Sequence, residues 1–512
     1  MVKNRPDNVT RLKRRRWRTG RWFFLFPALL FALHFGWGRL EQRKLARMVE
    51  QCRGNGEPIL PEDFDQPAIP DSGNAAIDLR AAGASIDEAR FSDLGNLQCE
   101  LPLTQRESSV IRTALADFPD ALPAVDSAMG KAQINWGLRR RTPVISAALP
   151  DLKPQRRLAD LLAADLLLAH EAGNDARAVK RAAQILFVSR AVDQQPALIS
   201  HLVANGIAAL AAERVVQIAP TLRIAAIDGE PLADAERKVS ADPLEVQALI
   251  ATLLAQDANN QGLARSMRGE RMMLLDTSTA FVAGDFSQTQ AGPTSAPPDM
   301  SESAKRNLFG YAVKPMVLSD AQLLIGYMSR SVVATGAPTW PTARLRLPAR
   351  PPEVAKHPKF HLFASMLIPS LDRIFMHQFQ VRTDMTLAAT SLAIRRYTLN
   401  HDGAFPSQLA DLSPLYLPAV PVDPMTAGTP LRFDSGNQFG STHPGDPIIY
   451  SVGENGTDES GSEQPLRKTL QVLDRWEMQD VVVHLKQQPR KTPEDVDDRT
   501  APTPATTVPS NP

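Results

Sequence analysis

Cysteine is scarce in this chain, with only Cys52 and Cys99 among 512 residues. So few thiols exclude a small protein held together by many disulfides. The 28 glycines are far too few for a collagen-like chain. With 43% hydrophobic and 22% charged residues, the chain is able to bury a core, and its length is sufficient for two or three domains.

Recognisable catalytic motifs are also missing. The sequence contains no Walker loop, dinucleotide-binding fingerprint, HExxH zinc motif or GxSxG nucleophile elbow. His357 and His361 are four residues apart, but Pro358 lies between them and no carboxylate accompanies them, which favours a surface turn. The sequence therefore names no reaction, and an enzyme whose site is assembled from scattered residues stays an open alternative.

The net charge of +1 conceals an uneven distribution of charge. Residues 1–21 hold nine basic side chains and one acid, Asp7, so this segment carries +8 and residues 22–512 sum to −7. The nine basic residues are Lys3, Arg5, Arg11, Lys13, Arg14, Arg15, Arg16, Arg18 and Arg21. A basic tip on a mildly acidic body indicates an end that meets a membrane or a nucleic acid.

A long uncharged hydrophobic run lies near the N-terminus, while the composition as a whole excludes a polytopic membrane protein. The run extends from Trp22 to Gly38 and has 17 residues without a formal charge. About 17–25 such residues are needed to cross a bilayer. Because basic residues dominate the side before the run, the positive-inside rule places the N-terminus in the cytoplasm. We therefore expect a single-pass anchor at 22–38 in the inner (cytoplasmic) membrane, with a periplasmic or extracytoplasmic body.

Three other interpretations of this end remain open. A cleaved signal peptide would need a small-x-small site, and Gly36 and Gly38 supply that spacing, although the sequence after them continues as a helix. A buried core helix with a solvated basic arm is a second interpretation. The third is a nucleic-acid binder that contacts phosphates through residues 3–21, but the adjoining hydrophobic run explains the basic residues as a topology signal, so no nucleic acid is expected.

Hydrophobic periodicity and proline content divide the rest of the chain. The predicted segments are a basic cytoplasmic tip (1–21), a transmembrane helix (22–38), a juxtamembrane helix and extended segment (39–104), an α-helical body (105–335) with a mobile loop (284–304), a Pro-rich connector (336–370), a long helix plus a small β-containing head (371–486) and a disordered tail (487–512). The predicted fold class is α+β. Within these segments, Thr104 and Glu107 fit a capping box, Asp175 suits a helix N-cap, and the Pro-rich stretch 336–358 is expected to be extended. Residues 430–433, 448–452 and 479–485 are strand candidates, and Asp423-Pro424 is expected to form a turn.

A series of short motifs follows the long helix. In order, they are Phe405-Pro406, Leu409-x-x-Leu412, Tyr416-Leu417-Pro418, Val420-Pro-Val-Asp423-Pro424, Gly428-Thr-Pro-Leu-Arg-Phe433 and Tyr450-Ser-Val-Gly-Glu-Asn-Gly456. Their order and spacing over about 397–461 resemble the C-terminal head of the major pseudopilins of type II secretion. The whole chain also resembles uncharacterised, singly anchored bacterial envelope proteins that end in this head.

The resemblance implies a small β-containing head with a calcium-binding loop around the final motif. Around that motif, Glu454, Asn455, Asp458 and Glu459 offer hard oxygen ligands of the kind that calcium prefers, and Asn455, Asp458 and Glu459 are the candidate metal residues. A solvated acidic turn is the alternative. The hydrophobic segment here lies more than 300 residues upstream and lacks a pseudopilin peptidase site, so the head is expected to be reused on another body.

Together these features predict a membrane-anchored extracytoplasmic protein with a structural or protein-interaction role in the cell envelope. The expected partners are the lipid bilayer, through residues 22–38, and an envelope protein. No cofactor is expected apart from the candidate calcium ion. Whether Cys52 and Cys99 form a disulfide is left open, because the sequence does not place them within bonding distance.

Overall fold

The fold is given by a computed structural model, which describes residues 8–137, 150–225, 239–283, 300–436, 441, 443–467 and 474–489. The α-helices in these ranges are α1 (Asn8–Gly54), α2 (Ala75–Ala84), α3 (Glu88–Gly95), α4 (Gln105–Asp117), α5 (Ala121–Met129), α6 (Leu152–Glu171), α7 (Asp175–Val192), α8 (Leu198–Ile218), α9 (Pro243–Leu254), α10 (Gln256–Ala283), α11 (Met300–Thr335), α12 (Trp340–Arg346), α13 (Pro352–Lys356) and α14 (Leu362–Leu399). The strands are β1 (Arg432–Asp434), β2 (Ile448–Ser451) and β3 (Val481–His484).

The predicted α+β class is confirmed in its coarse form, because the described chain is mostly helical and ends in one small sheet. The sheet has the order β1-β2-β3 with both pairs antiparallel. β2 is central and fully buried, and Ile448 pairs with His484 of β3. Local hydrophobic patterns of four to seven residues were sufficient to predict all three strands.

The segment 39–104 is more helical than predicted. Its first part continues α1, as expected, but α2 and α3 occupy residues expected to be extended. Asn74 starts α2, since its side chain accepts a hydrogen bond from the Ala76 backbone N–H at 3.1 Å. At α4, the predicted capping box of Thr104 and Glu107 is confirmed, with both reciprocal bonds present.

Helices α6, α7 and α8 form the centre of the body. The turn between α6 and α7 contains Gly173 at φ +76°, and Asn174 rather than the expected Asp175 caps α7. Asp165 on α6 is fully buried and binds two guanidinium groups of α7, from Arg177 (Nε–Oδ2 2.9 Å) and Arg181 (Nε–Oδ2 2.6 Å). A buried charge is tolerated only with such partners, so this cluster fixes α6 against α7.

Helix α10 packs against the turn that joins α7 to α8. A Cβ added to Gly262 would lie 1.7 Å from Asp193 Oδ2, and one added to Gly269 would lie 1.8 Å from the Pro196 carbonyl oxygen. At Gly269 the obstacle is backbone, so this position accepts only glycine at the observed separation, whereas at Gly262 the Asp193 side chain would have to move. Arg265, between the two glycines, donates to the Asp193 carbonyl at 2.8 Å.

In the connector at 336–370, the Pro-rich stretch 336–358 was predicted to be extended, and this is wrong for much of its length. That stretch contains α12 and α13, and the connector ends in the first turns of α14. Pro341 and Pro352 lie in the first turn of α12 and α13, where a missing backbone N–H costs no hydrogen bond. The prolines therefore start helices here instead of preventing them.

Two other predicted segments are only partly visible. Residues 300–304 of the predicted mobile loop belong to α11, and 284–299 lie outside the described residues. Residues 490–512 of the predicted tail also lie outside them. Cys52 and Cys99 are buried in two different hydrophobic clusters and are not joined by a disulfide.

The small sheet is attached to the C-terminal half of α14. Asp384 on that helix is buried and pairs with Arg475, 2.5 Å away. Asp423 is also buried, and its carboxylate accepts hydrogen bonds from the Ser451 hydroxyl (2.8 Å) and the Val452 N–H (3.1 Å). The Asp423-Pro424 motif thus acts as a structural turn that holds the end of β2, as the sequence indicated.

Candidate functional sites

A band of exposed apolar side chains runs along α1. Its members are 45–61% exposed: Phe26, Leu29, Leu30, Phe31, Leu33, Phe35, Trp37 and Leu40. We call these residues the apolar band. Monomeric soluble proteins rarely leave so many large apolar residues together in water, so the band marks a surface that meets something apolar.

Helix α11 covers part of the same stretch of α1. The Phe31 and Tyr311 rings stack with centroids 5.4 Å apart, and His34 Nε2 lies 2.8 Å from the Tyr311 carbonyl oxygen. Further along, Gln322 donates to the Glu41 carboxylate at 3.0 Å. These contacts fix the direction in which α1 leaves the band and joins the body.

Only one helical stretch in the described ranges, Leu198–Thr221, is long and apolar enough to cross a membrane. Half of its apolar window is buried. Its buried residues include Ile207 and Val215, in the main hydrophobic cluster. It is thus packed as a core helix is, and membrane insertion of residues 22–38 stays a prediction.

The predicted calcium residues lie in the turn after β2, and their side chains are engaged in different ways. Asp458 accepts from Arg432 (Nε–Oδ2 2.8 Å) and Tyr450 (OH–Oδ1 3.1 Å). Burial alone would raise the pKa of Asp458, but these hydrogen bonds and one from the Ser460 N–H outweigh it and lower the pKa. Its oxygens are thus already occupied by a cation and by neutral donors.

Glu459 and Asn455 behave differently from Asp458. The Asn455 amide donates to Glu459 Oε1 at 2.8 Å, while Glu459 Oε2 is buried without a hydrogen-bond donor. Nothing in the sequence singled out Asp480, which precedes β3, yet its Oδ1 is also buried without a donor. Burial, followed by the nearby charges of Glu459 and Asp458, raises the pKa of Asp480 to about 6. Unlike the oxygens of Asp458, these two oxygens have no hydrogen-bond donor.

A second cluster lies at the opposite end of the sheet. Ligand atoms of His443, Asp446 and His484 lie within 4.8 Å of one another, the one such group of His, Cys, Asp or Glu in the described part of the chain. His484 Nδ1 is 2.7 Å from Asp446 Oδ2, and its Nε2 is 3.4 Å from Glu463. The hydrogen bonds to Glu463 and to Asp446 outweigh burial and raise the pKa of His484. Sequence reasoning missed this cluster because Asp446 and His484 are 38 positions apart and share no motif.

Other histidines in the described ranges are engaged in structural contacts. His361, one of the two histidines singled out in the sequence, is 2.8 Å from Asp320. His201 is fully buried between Asp193 (2.7 Å) and Gln378 (2.7 Å). No substrate is able to reach a histidine enclosed in this way, so it stabilises the contact between α8 and α14.

One cleft lies between α14 and the end of β3 and has a volume of about 220 Å³. Its polar lining includes Ser391, Arg395, Thr398 and Lys486. This volume is below the roughly 300 Å³ at which ligand pockets begin, and no carboxylate or histidine lines the cleft. The cleft therefore does not favour the enzyme alternative.

Comparisons with protein-family models, curated proteins and solved structures found no significant match to this chain.

Proposed function

We propose that the protein is anchored in the inner membrane by α1 and presents its helical body and small β head to a partner protein in the cell envelope. The observation that carries this proposal is the apolar band. If a bilayer covered eight half-exposed Phe, Leu and Trp side chains, each would contribute about 1 kcal/mol, or about 8 kcal/mol together. No contact within the described chain offers comparable burial for these residues.

The charge distribution supports one orientation. Nine basic residues precede the hydrophobic run, and this bias keeps that end in the cytoplasm. Helix α1 continues 16 residues past Gly38, to Gly54, a length of about 24 Å. In this orientation, the second half of α1 lies on the extracytoplasmic side, where Leu45 packs with Leu275 of α10 and Leu318 of α11 in one hydrophobic cluster.

The C-terminal motifs support an interaction role for the head. They resemble those of pseudopilin heads, which assemble through protein contacts, and two of the three strands of the small sheet, β1 and β2, form where the motifs lie. A calcium ion in this head would be held by Glu459 and Asp480, through the two oxygens that lack donors. Calcium would neutralise the repulsion among these carboxylates and stabilise the turn after β2.

The anchor is tested by fractionation of the full-length protein and a matched pair of variants. We expect the wild type to stay with membranes in high salt and alkaline buffer and to be released by detergent. The double variant Leu30→Arg/Leu33→Arg should be released without detergent, since each Arg at the centre of a membrane helix costs about 2.5–3.5 kcal/mol. The control is Leu345→Arg, which changes an 88% exposed leucine outside the band.

Release of the wild type by salt alone would contradict the anchor and favour a basic arm that binds polyanions. Membrane retention of the Leu30→Arg/Leu33→Arg variant would also contradict it. Calcium is tested separately by thermal melting of the wild type and Glu459→Gln. We expect calcium to raise the Tm of the wild type only, and a Tm that calcium leaves unchanged would remove the calcium ion from the proposal.

A further inference from the structure

The cluster of His443, Asp446 and His484 is assembled by the fold of the head. His443 and Asp446 belong to the loop between β1 and β2, and His484 is the last residue of β3. The β2–β3 register brings His484 opposite Ile448, two residues after Asp446. The ladder also extends past the strands, because the Leu485 N–H donates to the Pro447 carbonyl at 2.9 Å.

Hydrogen bonds join the described residues of the loop that carries His443 and Asp446. The Gly445 N–H donates to the Gly436 carbonyl at 2.9 Å, and the Asp446 N–H donates to the His443 carbonyl at 3.1 Å. Gly436 has φ +72°, and a Cβ there would lie 2.8 Å from the Asp446 nitrogen. The backbone at Gly436 and Asp446 is therefore tightly apposed, which positions the two ligands before any ion binds.

In each imidazole, Nε2 faces a hydrogen-bond acceptor, and Nδ1 is the nitrogen that would bind a metal ion. His443 Nε2 lies 2.8 Å from the Gly461 carbonyl oxygen. A carbonyl only accepts, so Nε2 of His443 carries the proton and Nδ1 keeps its lone pair. The Nε2 of His484 faces Glu463 at 3.4 Å while its Nδ1 faces Asp446. A carbonyl or carboxylate behind a histidine is the usual arrangement of metal-binding imidazoles.

Asp446 has an oxygen to spare. Its Oδ2 contacts His484 and accepts from the Gln488 side chain at 3.1 Å, while Oδ1 is buried and has no donor. A buried carboxylate oxygen without a partner is costly. A cation next to Asp446 would remove this cost.

We propose that His443, Asp446 and His484 bind one divalent transition-metal ion of the zinc class. Two imidazoles and one carboxylate are a common zinc donor set, and such sites complete their coordination with water. Zinc ligands about 2.0–2.1 Å from the metal lie about 3.3 Å apart, so ligand atoms up to 4.8 Å apart need to close by no more than about 1.5 Å. His484 and Asp446, at 2.7 Å, need to open by about 0.6 Å. The metal would take the position of the proton between His484 and Asp446.

This site goes beyond the proposed anchor and interaction role. It connects the β1–β2 loop to the last strand of the head, and the Gly461 carbonyl behind His443 belongs to the turn after Glu459. Zinc would therefore stabilise the head independently of calcium, which is a hard ion that favours oxygen ligands.

The test is a zinc titration of the full-length, untagged protein in detergent, followed by dialysis and metal analysis. We expect the wild type to retain one zinc ion per chain. His443→Gln and His484→Gln should each lower the zinc affinity at least tenfold. His401→Gln is the matched control, because His401 is an exposed histidine that stacks on Tyr397 outside the cluster.

Zinc retained equally by His443→Gln and His484→Gln would overturn the proposal, as would a wild type that retains none. A second measurement does not depend on the folding of the variants. X-ray absorption at the zinc edge of the wild type should show two imidazoles and oxygen ligands at about 2.0 Å. Sulfur ligands at about 2.3 Å, or a spectrum without imidazole, would show that zinc binds elsewhere.

Discussion

The close contact between α10 and the turn after α7 makes a quantitative prediction for Gly269→Ala. The added Cβ would lie 1.8 Å from the Pro196 carbonyl oxygen and 2.6 Å from its carbonyl carbon. Ordinary contact begins at about 3.4 Å, so helix and turn must separate by about 1.6 Å. Overpacking of this kind costs about 1–3 kcal/mol, and we expect the upper end because the obstacle is backbone.

The helix propensity of alanine offsets part of this cost. Replacing glycine by alanine inside a helix gains about 1 kcal/mol, which leaves a net destabilisation of about 2 kcal/mol. At about 2–4 °C per kcal/mol for a domain of 150–250 residues, the Tm of the body should fall by about 4–8 °C. Gly206→Ala is the matched control, because Gly206 on α8 is exposed and no atom lies within 4 Å of the place that an alanine Cβ would take.

Both variants are measured by differential scanning calorimetry of the full-length protein in detergent. Gly206→Ala should raise the Tm by about 2–4 °C from helix propensity alone. The opposite signs separate a steric effect from a general effect of the substitution. If Gly269→Ala raised the Tm as Gly206→Ala does, α10 would not be packed against Pro196 as described.

Two further predictions concern buried charges. Asp165→Asn should destabilise the body by about 3 kcal/mol in urea unfolding, because two guanidinium groups lose their buried carboxylate. The control Glu88→Gln, at the exposed ion pair with Arg157, should cost less than about 1 kcal/mol. Equal losses of stability in the two variants would show that burial of Asp165 does not matter. Burial raises the pKa of Asp160 to about 6, so the folded protein pays a free-energy cost when this group ionises. The cost is absent below about pH 4, where Asp160 is protonated, and reaches about 3 kcal/mol of lost folding stability above about pH 6. Asp160→Asn should therefore raise the Tm at pH 7 and leave it unchanged at pH 4, and a gain at pH 4 as large as that at pH 7 would contradict this origin.

Features formed by residues close together in the sequence were predictable from it, and contacts between residues far apart in the sequence were not. The Thr104–Glu107 capping box depends on four adjacent residues, and its prediction is confirmed. The start of α7 was predicted one residue late, since Asn174 and Asp175 both suit a cap and only the backbone conformation decides between them. The prolines of the connector were misleading because proline both starts and ends helices.

The candidate sites show the same division. Asn455, Asp458 and Glu459 were found because they are close in sequence, but the sequence did not show that Arg432 occupies Asp458. Asp480, which supplies the second oxygen without a donor, comes near Glu459 only because β3 returns beside β2. The histidine cluster depends on the same strand pairing, so no spacing rule would have predicted it.

The central claim is that α1 holds the body on the outer side of the inner membrane. The most direct test is protease digestion of intact spheroplasts that contain the full-length protein, followed by detection of the body with an antibody. We predict that added protease degrades the body while the inner membrane is still sealed and a cytoplasmic marker survives. A body that resists the protease until detergent opens the membrane would contradict the claim.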